Sequence, residues 1–413
     1  MFGIKFIAAL GILMLFLFAC SPSQATISPA TLSQPQPSVT LPQVATTISS
    51  STATATQLTS SPTSVPPTPF EAPQGTLERA FFPLSEPGPQ VPGRRTFSFQ
   101  DPARGDRLVE IMVWYPSVPV DDQSGKIVED APPDLTHAPY PIILSSAKSG
   151  GHFAPHLVSY GFVVVGIKNL DTYEPWDQNL IDQPLDILFA LHQVAAGALD
   201  GLEDMIDADR AGVLGYSFDG YNSLALSGAR IDPKFYLEQC ANASSVEPPL
   251  SDWRVWYFCD LSNKWDEFKA HAGSQITEGD DGLWEPMTDQ RILAVMPMAP
   301  EGAWLFGERG LAAVDRPILI IAATEDKGDH YCPYDLEAVY IFDHLGTSDR
   351  FMVSFIGEGH MMIGNHDKVS RMQHFTAAFF GYYLQGRDEY AEYFSEDFIN
   401  QHDDLAWGVY TGE

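Results

Sequence analysis

The fold of this chain is best predicted from residues 213–221, VLGYSFDGY. The stretch runs from apolar, strand-like residues through a serine into a segment that favours a helix. A serine on such a sharp strand-to-helix turn projects its Oγ above the sheet, and the next backbone N–H points to where an oxyanion would form. The stretch therefore predicts Ser217 as an acyl-transfer nucleophile and the N–H of Phe218 as the first oxyanion donor.

The motif departs from its usual form at Asp219. Glycine normally lies two residues before and two residues after the serine, and only the first, Gly215, is present here. Because the turn is crowded, we expect the Asp219 side chain to point outward or the turn to open slightly. The alternative interpretation is a strand-turn-helix unit in which Ser217 only caps the helix.

A nucleophilic serine of this kind is followed in the chain by an acid and then a histidine. The apolar run 317–323 predicts a buried parallel strand, and the acidic loop 324–329 follows its carboxyl end. A further strand, 350–356, leads into a glycine-rich loop that contains His360. Because open α/β sheets place their sites at the carboxyl ends of strands, we expect His360 to be the base.

The acidic loop offers three candidates for the acid. Asp326 is favoured because it lies three residues past the last alanine of the strand, and Asp329 and Glu325 are the second and third choices. Taken singly, such an aspartate is commonly a solvated loop residue, and such a histidine a surface or capping residue. Their joint order predicts the triad Ser217, Asp326 and His360.

These motifs resemble the α/β-hydrolase superfamily. Longer stretches are similar to one branch of it, the bacterial predicted dienelactone hydrolases, which are related to platelet-activating-factor acetylhydrolases and bacterial polyester hydrolases. The similar stretches are RRTFSFQDPARG at 94–105, VWYP at 113–116, IDADR at 206–210 and DQRI at 289–292. The resemblance covers residues 76–390. It implies an α/β-hydrolase fold, with a mostly parallel central sheet and helices on both faces.

In that family the second oxyanion donor lies in a loop that commonly begins His-Gly. Residues 141–151 read PIILSSAKSGG, so that Ser146 and Ala147 replace the His-Gly pair. We expect the second donor to be the N–H of Ala147 or Lys148, because backbone donors tolerate sequence change while the loop keeps its path. The side chain of Lys148 is expected to be solvated.

Residues 1–19 resemble a bacterial lipoprotein signal peptide. Lys5 precedes a long apolar stretch, no basic stop-transfer cluster follows, and Cys20 would become the lipid-modified first residue after cleavage. The alternative is an uncleaved membrane anchor. Residues 20–75 are rich in Ser, Thr and Pro and predict a disordered tether. We therefore expect an extracytoplasmic protein, lipid-anchored to the bacterial cell membrane or cell surface.

The remaining residues, 76–413, predict one hydrolase domain with an insertion at about 230–290. The insertion is rich in aromatic residues and resembles the cap that roofs the acyl pocket in this superfamily; the alternative is a packed subdomain without substrate contact. Cys240 and Cys259 both lie in it, where an exported protein could pair them. A metal site at Asp329, His330 and Cys332 is disfavoured because no spaced second ligand pair is present.

The net charge of the chain limits the classes of molecule that it is expected to bind. The formal net charge is −31, from 54 acidic and 23 basic residues, which disfavours nucleic acid and anionic membrane surfaces. We expect a small-molecule or lipid ester substrate, no cofactor, and membrane contact only through the N-terminal lipid. The predicted function is a serine ester hydrolase. The alternatives are a phospholipase A2-type lipase similar to platelet-activating-factor acetylhydrolase, and a catalytically silent hydrolase fold that serves as a binding module.

Overall fold

The computed structural model describes residues 82–119, 127–168, 175–246, 249–273, 276, 278–327 and 333–412. The predicted signal peptide, the lipidation site Cys20 and the tether lie outside these residues, as do Asp329, His330 and Cys332. Within the described ranges, no helix is both long and apolar enough to cross a membrane.

A mixed sheet of ten strands forms the centre of the molecule. The strands are β1 Val91–Asp101, β2 Arg107–Ser117, β3 Val128–Glu129, β4 Tyr140–Ser146, β5 Val163–Ile167, β6 Ile206–Tyr216, β7 Ile292–Met298, β8 Ile318–Ala323, β9 Arg350–Phe355 and β10 Leu405–Trp407. Their order across the sheet is β10-β9-β8-β7-β6-β4-β5-β2-β1-β3. The six strands from β9 to β5 in this order are parallel, so their carboxyl ends lie at one edge.

Helices connect the strands. The α-helices of the described residues are α1 Ala147–Ser159, α2 Asn179–Ala195, α3 Phe218–Leu226, α4 Pro233–Ala241, α5 Asp252–Cys259, α6 Trp265–Ala272, α7 Ala303–Leu311, α8 Tyr340–His344, α9 His366–Gln385 and α10 Glu396–Ile399. This alternation of parallel strands and helices places the chain in the α/β class.

Two hydrophobic cores lie on opposite faces of the sheet. Successive strand residues alternate between them, so that Val213 of β6 joins one core and Leu214 joins the other. The first core contains residues of α2 and α3, and the second contains residues of α1 and α9. Because both faces are covered, the central strands can be apolar throughout, as in β8, where every residue is buried.

The predicted insertion is a helical unit formed by α4, α5 and α6. A disulfide joins Cys240 of α4 to Cys259 at the end of α5. Many of its aromatic rings pack against one another and are buried; Tyr236, Phe268 and Trp284 are at most 1% exposed. Much of the aromatic content of this unit therefore forms its own core.

Two buried histidines, in α1 and α9, form hydrogen bonds with the start of the described chain. His156 of α1 donates from Nε2 to the carbonyl oxygen of Leu84 at 2.8 Å, and the N–H of Leu84 donates to Nδ1 of His374 in α9 at 3.0 Å. Burial lowers the pKa of His156 to about 4 and that of His374 to about 3. Both rings are therefore neutral in the folded protein at neutral pH.

This arrangement predicts acid-sensitive stability. The pKa of His156 is depressed from 6.5 in the folded state, so the unfolded chain takes up its proton first as the pH falls. The free energy of unfolding should therefore decline from about pH 6.5 downward, by about 3 kcal/mol from His156 alone once pH 4 is reached. Urea unfolding of wild type and of the His156→Gln variant between pH 7 and pH 4.5 measures this slope.

The variant should show a shallower decline than the wild type. His366→Gln is the matched control, because the His366 side chain is 97% exposed and its loss should leave the slope unchanged. Equal slopes for wild type and His156→Gln would contradict the assigned role of His156.

Candidate active site

Ser217 lies in a strained turn between β6 and α3. Its backbone has φ 61° and ψ −122°, in a region that residues other than glycine rarely adopt. Such strain costs about 1–3 kcal/mol and concentrates at functional sites. Backbone hydrogen bonds hold the turn: Ser217 N–H donates to the carbonyl of Met298 at 2.9 Å, and Gly220 and Tyr221 N–H donate to the carbonyl of Ser217 at 2.8 and 3.3 Å.

Close backbone contacts explain the glycines of the turn. A Cβ added at Gly215 would lie 2.0 Å from the carbonyl oxygen of Asp219, and one added at Gly220 would lie 2.8 Å from Cα of Pro300. Both positions therefore require glycine. The second close approach falls at residue 220, one position later than the usual motif places it.

The three residues of the predicted triad are in contact. Nε2 of His360 lies 2.9 Å from Oγ of Ser217, and Nδ1 of His360 lies 2.8 Å from Oδ2 of Asp326. With Nδ1–H donating to the carboxylate, Nε2 is left to accept the serine proton. His360 and Asp326 are 7% and 2% exposed, so solvent competes little with these bonds.

The two other candidates for the acid of the triad are Glu325 and Asp329. Glu325 is exposed and pairs with Lys327 at 2.9 Å, so its carboxylate serves a surface ion pair. Asp329 lies outside the described residues. Among the acids of this loop that the structure describes, Asp326 is the one bonded to His360.

Hydrogen bonds tie the acid loop to the histidine loop. Thr324 N–H donates to Phe355 O at 3.1 Å, and Glu325 N–H donates to Glu358 O at 2.8 Å. Gly357 N–H returns a bond to Oγ1 of Thr324 at 2.9 Å. The two loops therefore form one rigid unit that fixes Asp326 against His360.

The expected outward orientation of Asp219 is wrong. The side chain is 4% exposed and its carboxylate accepts hydrogen bonds from the hydroxyls of Ser146 and Ser149. The carboxylate thus lies at the start of α1, which Ser146 caps. Burial raises the pKa of Asp219, and the two serine bonds oppose that rise.

The loop predicted to supply the second oxyanion donor forms the start of helix α1. Ser146 caps the helix and Ala147 is its first residue, as Phe218 is the first residue of α3. The first N–H groups of a helix have no acceptor within it, so those of Phe218, Ala147 and Lys148 make no bond inside their own helices. A Cβ at Gly166 in β5 would lie 2.9 Å from the nitrogen of Ala147, so this path also depends on glycine. The Lys148 side chain is exposed.

Sequence reasoning missed a buried acid, Glu301, which follows β7. It is 2% exposed, accepts a hydrogen bond from the hydroxyl of Tyr257 in α5 at 3.1 Å, and interacts electrostatically with His360 and Asp326. Burial raises the pKa of Glu301 to about 7. Its position at the carboxyl end of a parallel strand was the available signal. Tyr257 shows that the helical insertion reaches the neighbourhood of the triad.

Within the described residues, no group of three or more His, Cys, Asp and Glu side chains is placed to hold a metal ion. No protein-family model matches the chain, and no curated protein matches it either. The functional inference therefore rests on the geometry of the site.

Proposed function

We propose that this protein is a serine ester hydrolase with an α/β-hydrolase fold. The observation that carries the proposal is the hydrogen-bonded series from Ser217 through His360 to Asp326, with the serine on a strained turn. These residues follow β6, β9 and β8 at the carboxyl edge of parallel strands, in the chain order Ser, Asp, His. That combination is typical of acyl transfer.

Each residue has a defined role in the proposed reaction. Nε2 of His360 takes the hydroxyl proton of Ser217 as Oγ bonds to the ester carbonyl carbon. The negative charge moves to the carbonyl oxygen, next to the N–H groups of Phe218 and Ala147. When the tetrahedral centre collapses, the alcohol oxygen leaves with the proton from the imidazolium. Water then attacks the acyl group by the same steps, with His360 again taking and returning the proton. This releases the carboxylic acid and restores Ser217.

The binding-module alternative was suggested by Asp219 and by Ser146-Ala147 in place of His-Gly. Both departures are accommodated in the same site: Asp219 binds Ser146, and Ala147 still begins a helix. The triad contacts are intact beside them. The proposal of an enzyme is therefore better supported than that of a silent fold.

We propose the bacterial cell surface as the location, with a lipid on Cys20. The supporting features are the signal-like residues 1–19 and the disulfide between Cys240 and Cys259, since disulfides persist mainly in oxidising compartments.

The proposed function predicts turnover of simple esters. Purified protein should hydrolyse p-nitrophenyl esters, and a fluorophosphonate probe should label it at Ser217. A series of acyl chains from two to twelve carbons, scored by kcat/KM, would define the acyl group and separate a short-chain esterase from a lipase. Neither turnover nor labelling across the series would refute the proposal.

A further inference from the structure

The carboxylate of Asp219 joins two helices at the candidate active site. It lies in the first turn of α3, two residues after Ser217, and its Oδ2 accepts the hydroxyls of both Ser146 and Ser149 at the start of α1. Its Oδ1 is 3.4 Å from Nδ2 of Asn222, one turn further along α3. A side chain that departs from the expected motif thus makes a direct contact between the nucleophile turn and the oxyanion loop.

The two serine hydroxyls also contact backbone N–H groups. Ser146 Oγ accepts the N–H of Ser149 at 2.9 Å, and Ser149 Oγ accepts the N–H of Tyr216 at 3.3 Å. In its ionised form the Asp219 carboxylate can only accept, and each serine hydroxyl then donates its single proton to it. Each hydroxyl then presents a lone pair to a backbone N–H. The ionised carboxylate of Asp219 therefore sets the direction of both hydroxyl bonds.

The network fixes the backbone on both sides of the proposed oxyanion donors. Ser146 immediately precedes Ala147, and Tyr216 and Asp219 bracket Ser217 and Phe218. The separation between the two donors is therefore set through a buried network, in which Ser146, Ser149 and Asp219 are 2%, 3% and 4% exposed. Buried networks are rigid where their members are satisfied, as Ser146, Ser149 and Asp219 are.

We propose that Asp219 is a positioning residue that holds the first turn of α1 against the nucleophile turn and so aims the N–H of Ala147 at the oxyanion. The proposal rests on the proposed ester hydrolase function. Because an oxyanion exists only in the transition state, loss of Asp219 should act on kcat and leave KM nearly unchanged.

The decisive variant is Asp219→Gly, which restores the usual glycine of the motif. If Asp219 were only a tolerated departure, the variant would match or exceed the wild type. If Asp219 positions the loop, kcat on a p-nitrophenyl ester should fall about 100-fold, the scale of losing one oxyanion donor, with KM within about twofold. The affinity of a trifluoromethyl ketone, which forms an oxyanion adduct, should weaken in parallel with kcat.

Two further variants separate positioning from general damage. Asp219→Asn keeps an acceptor oxygen for the serine hydroxyls and should retain kcat within about tenfold of the wild type. Ser223→Ala is the matched control, because it removes a buried hydroxyl from the same helix. That hydroxyl donates to the backbone carbonyl of Asp219 and not to its carboxylate. It should leave kcat unchanged. Wild-type kcat in Asp219→Gly, or a change confined to KM, would overturn the proposal.

Amide hydrogen exchange supplies a readout without turnover. The peptide 145–152 should exchange faster in Asp219→Gly than in wild type, and Asp219→Asn should restore slow exchange. Equal exchange in all three would also overturn the proposal.

If Asp219→Gly does not fold, Ser149→Ala provides a second test, because it leaves Ser146 bonded to the carboxylate. Ser149→Ala should lower kcat at constant KM, and an unchanged kcat would contradict the proposed role of Asp219. An inactive, unlabelled wild type would instead refute the ester hydrolase function.

Discussion

Replacement of Ser217 by alanine is expected to lower kcat about 10⁶-fold, the size of the loss when the nucleophile of a catalytic triad is removed. Oγ of Ser217 lies 2.9 Å from Nε2 of His360, so proton transfer and attack on the carbonyl belong to one step. His360→Ala should therefore cause a loss of similar size. The double variant should be no worse than either single variant, because the two side chains act as a unit.

Steady-state kinetics on a p-nitrophenyl ester measure these losses, with thermal melts to show that each variant folds. Ser227→Ala is the matched control: its side chain is fully buried at the end of α3 and bonds the carbonyl of Leu224. It should retain wild-type kcat. A double variant far worse than Ser217→Ala would mean that His360 catalyses without the serine, and the proposed mechanism would be wrong.

Much of the sheet could be predicted because its strands are short apolar runs bounded by turn residues. The strands predicted at 317–323 and 350–356 are present as β8 and β9, and the apolar residues before Ser217 form the end of β6. Strands β3 and β10, which have two and three residues, could not be predicted in this way. They are too short to show a period, and they form through pairing with strands that are distant in the chain.

The candidate site was predictable for a similar reason. Ser217, Asp326 and His360 each follow a recognisable strand, and parallel strands bring their carboxyl ends to one edge whatever the intervening sequence. The orientation of Asp219 was not predictable, because the preference for glycine reflects crowding at the backbone and says nothing of hydrogen-bond donors across the turn, here Ser146 and Ser149. Likewise, the burial of Glu301 depends in part on Tyr257, which comes from the helical insertion 44 residues earlier.

Replacement of Asp326 by asparagine is expected to lower kcat about 10⁴-fold. The uncharged amide no longer holds the proton on Nδ1 of His360 as the charged carboxylate does. The imidazole therefore loses the tautomer that leaves Nε2 free to accept from Ser217. Folding should survive, because the amide has nearly the same size as the carboxyl group. The same steady-state assay with thermal melts measures the effect.

Glu325→Gln is the matched control for Asp326→Asn, since it removes the adjacent carboxylate, which is exposed and paired with Lys327. It should retain wild-type kcat because a surface ion pair contributes little to the site. Asp329→Asn should also have little effect if Asp326 is the acid. A larger loss from Asp329→Asn than from Asp326→Asn would move the acid to Asp329, and the 2.8 Å contact between His360 and Asp326 would then have to be structural.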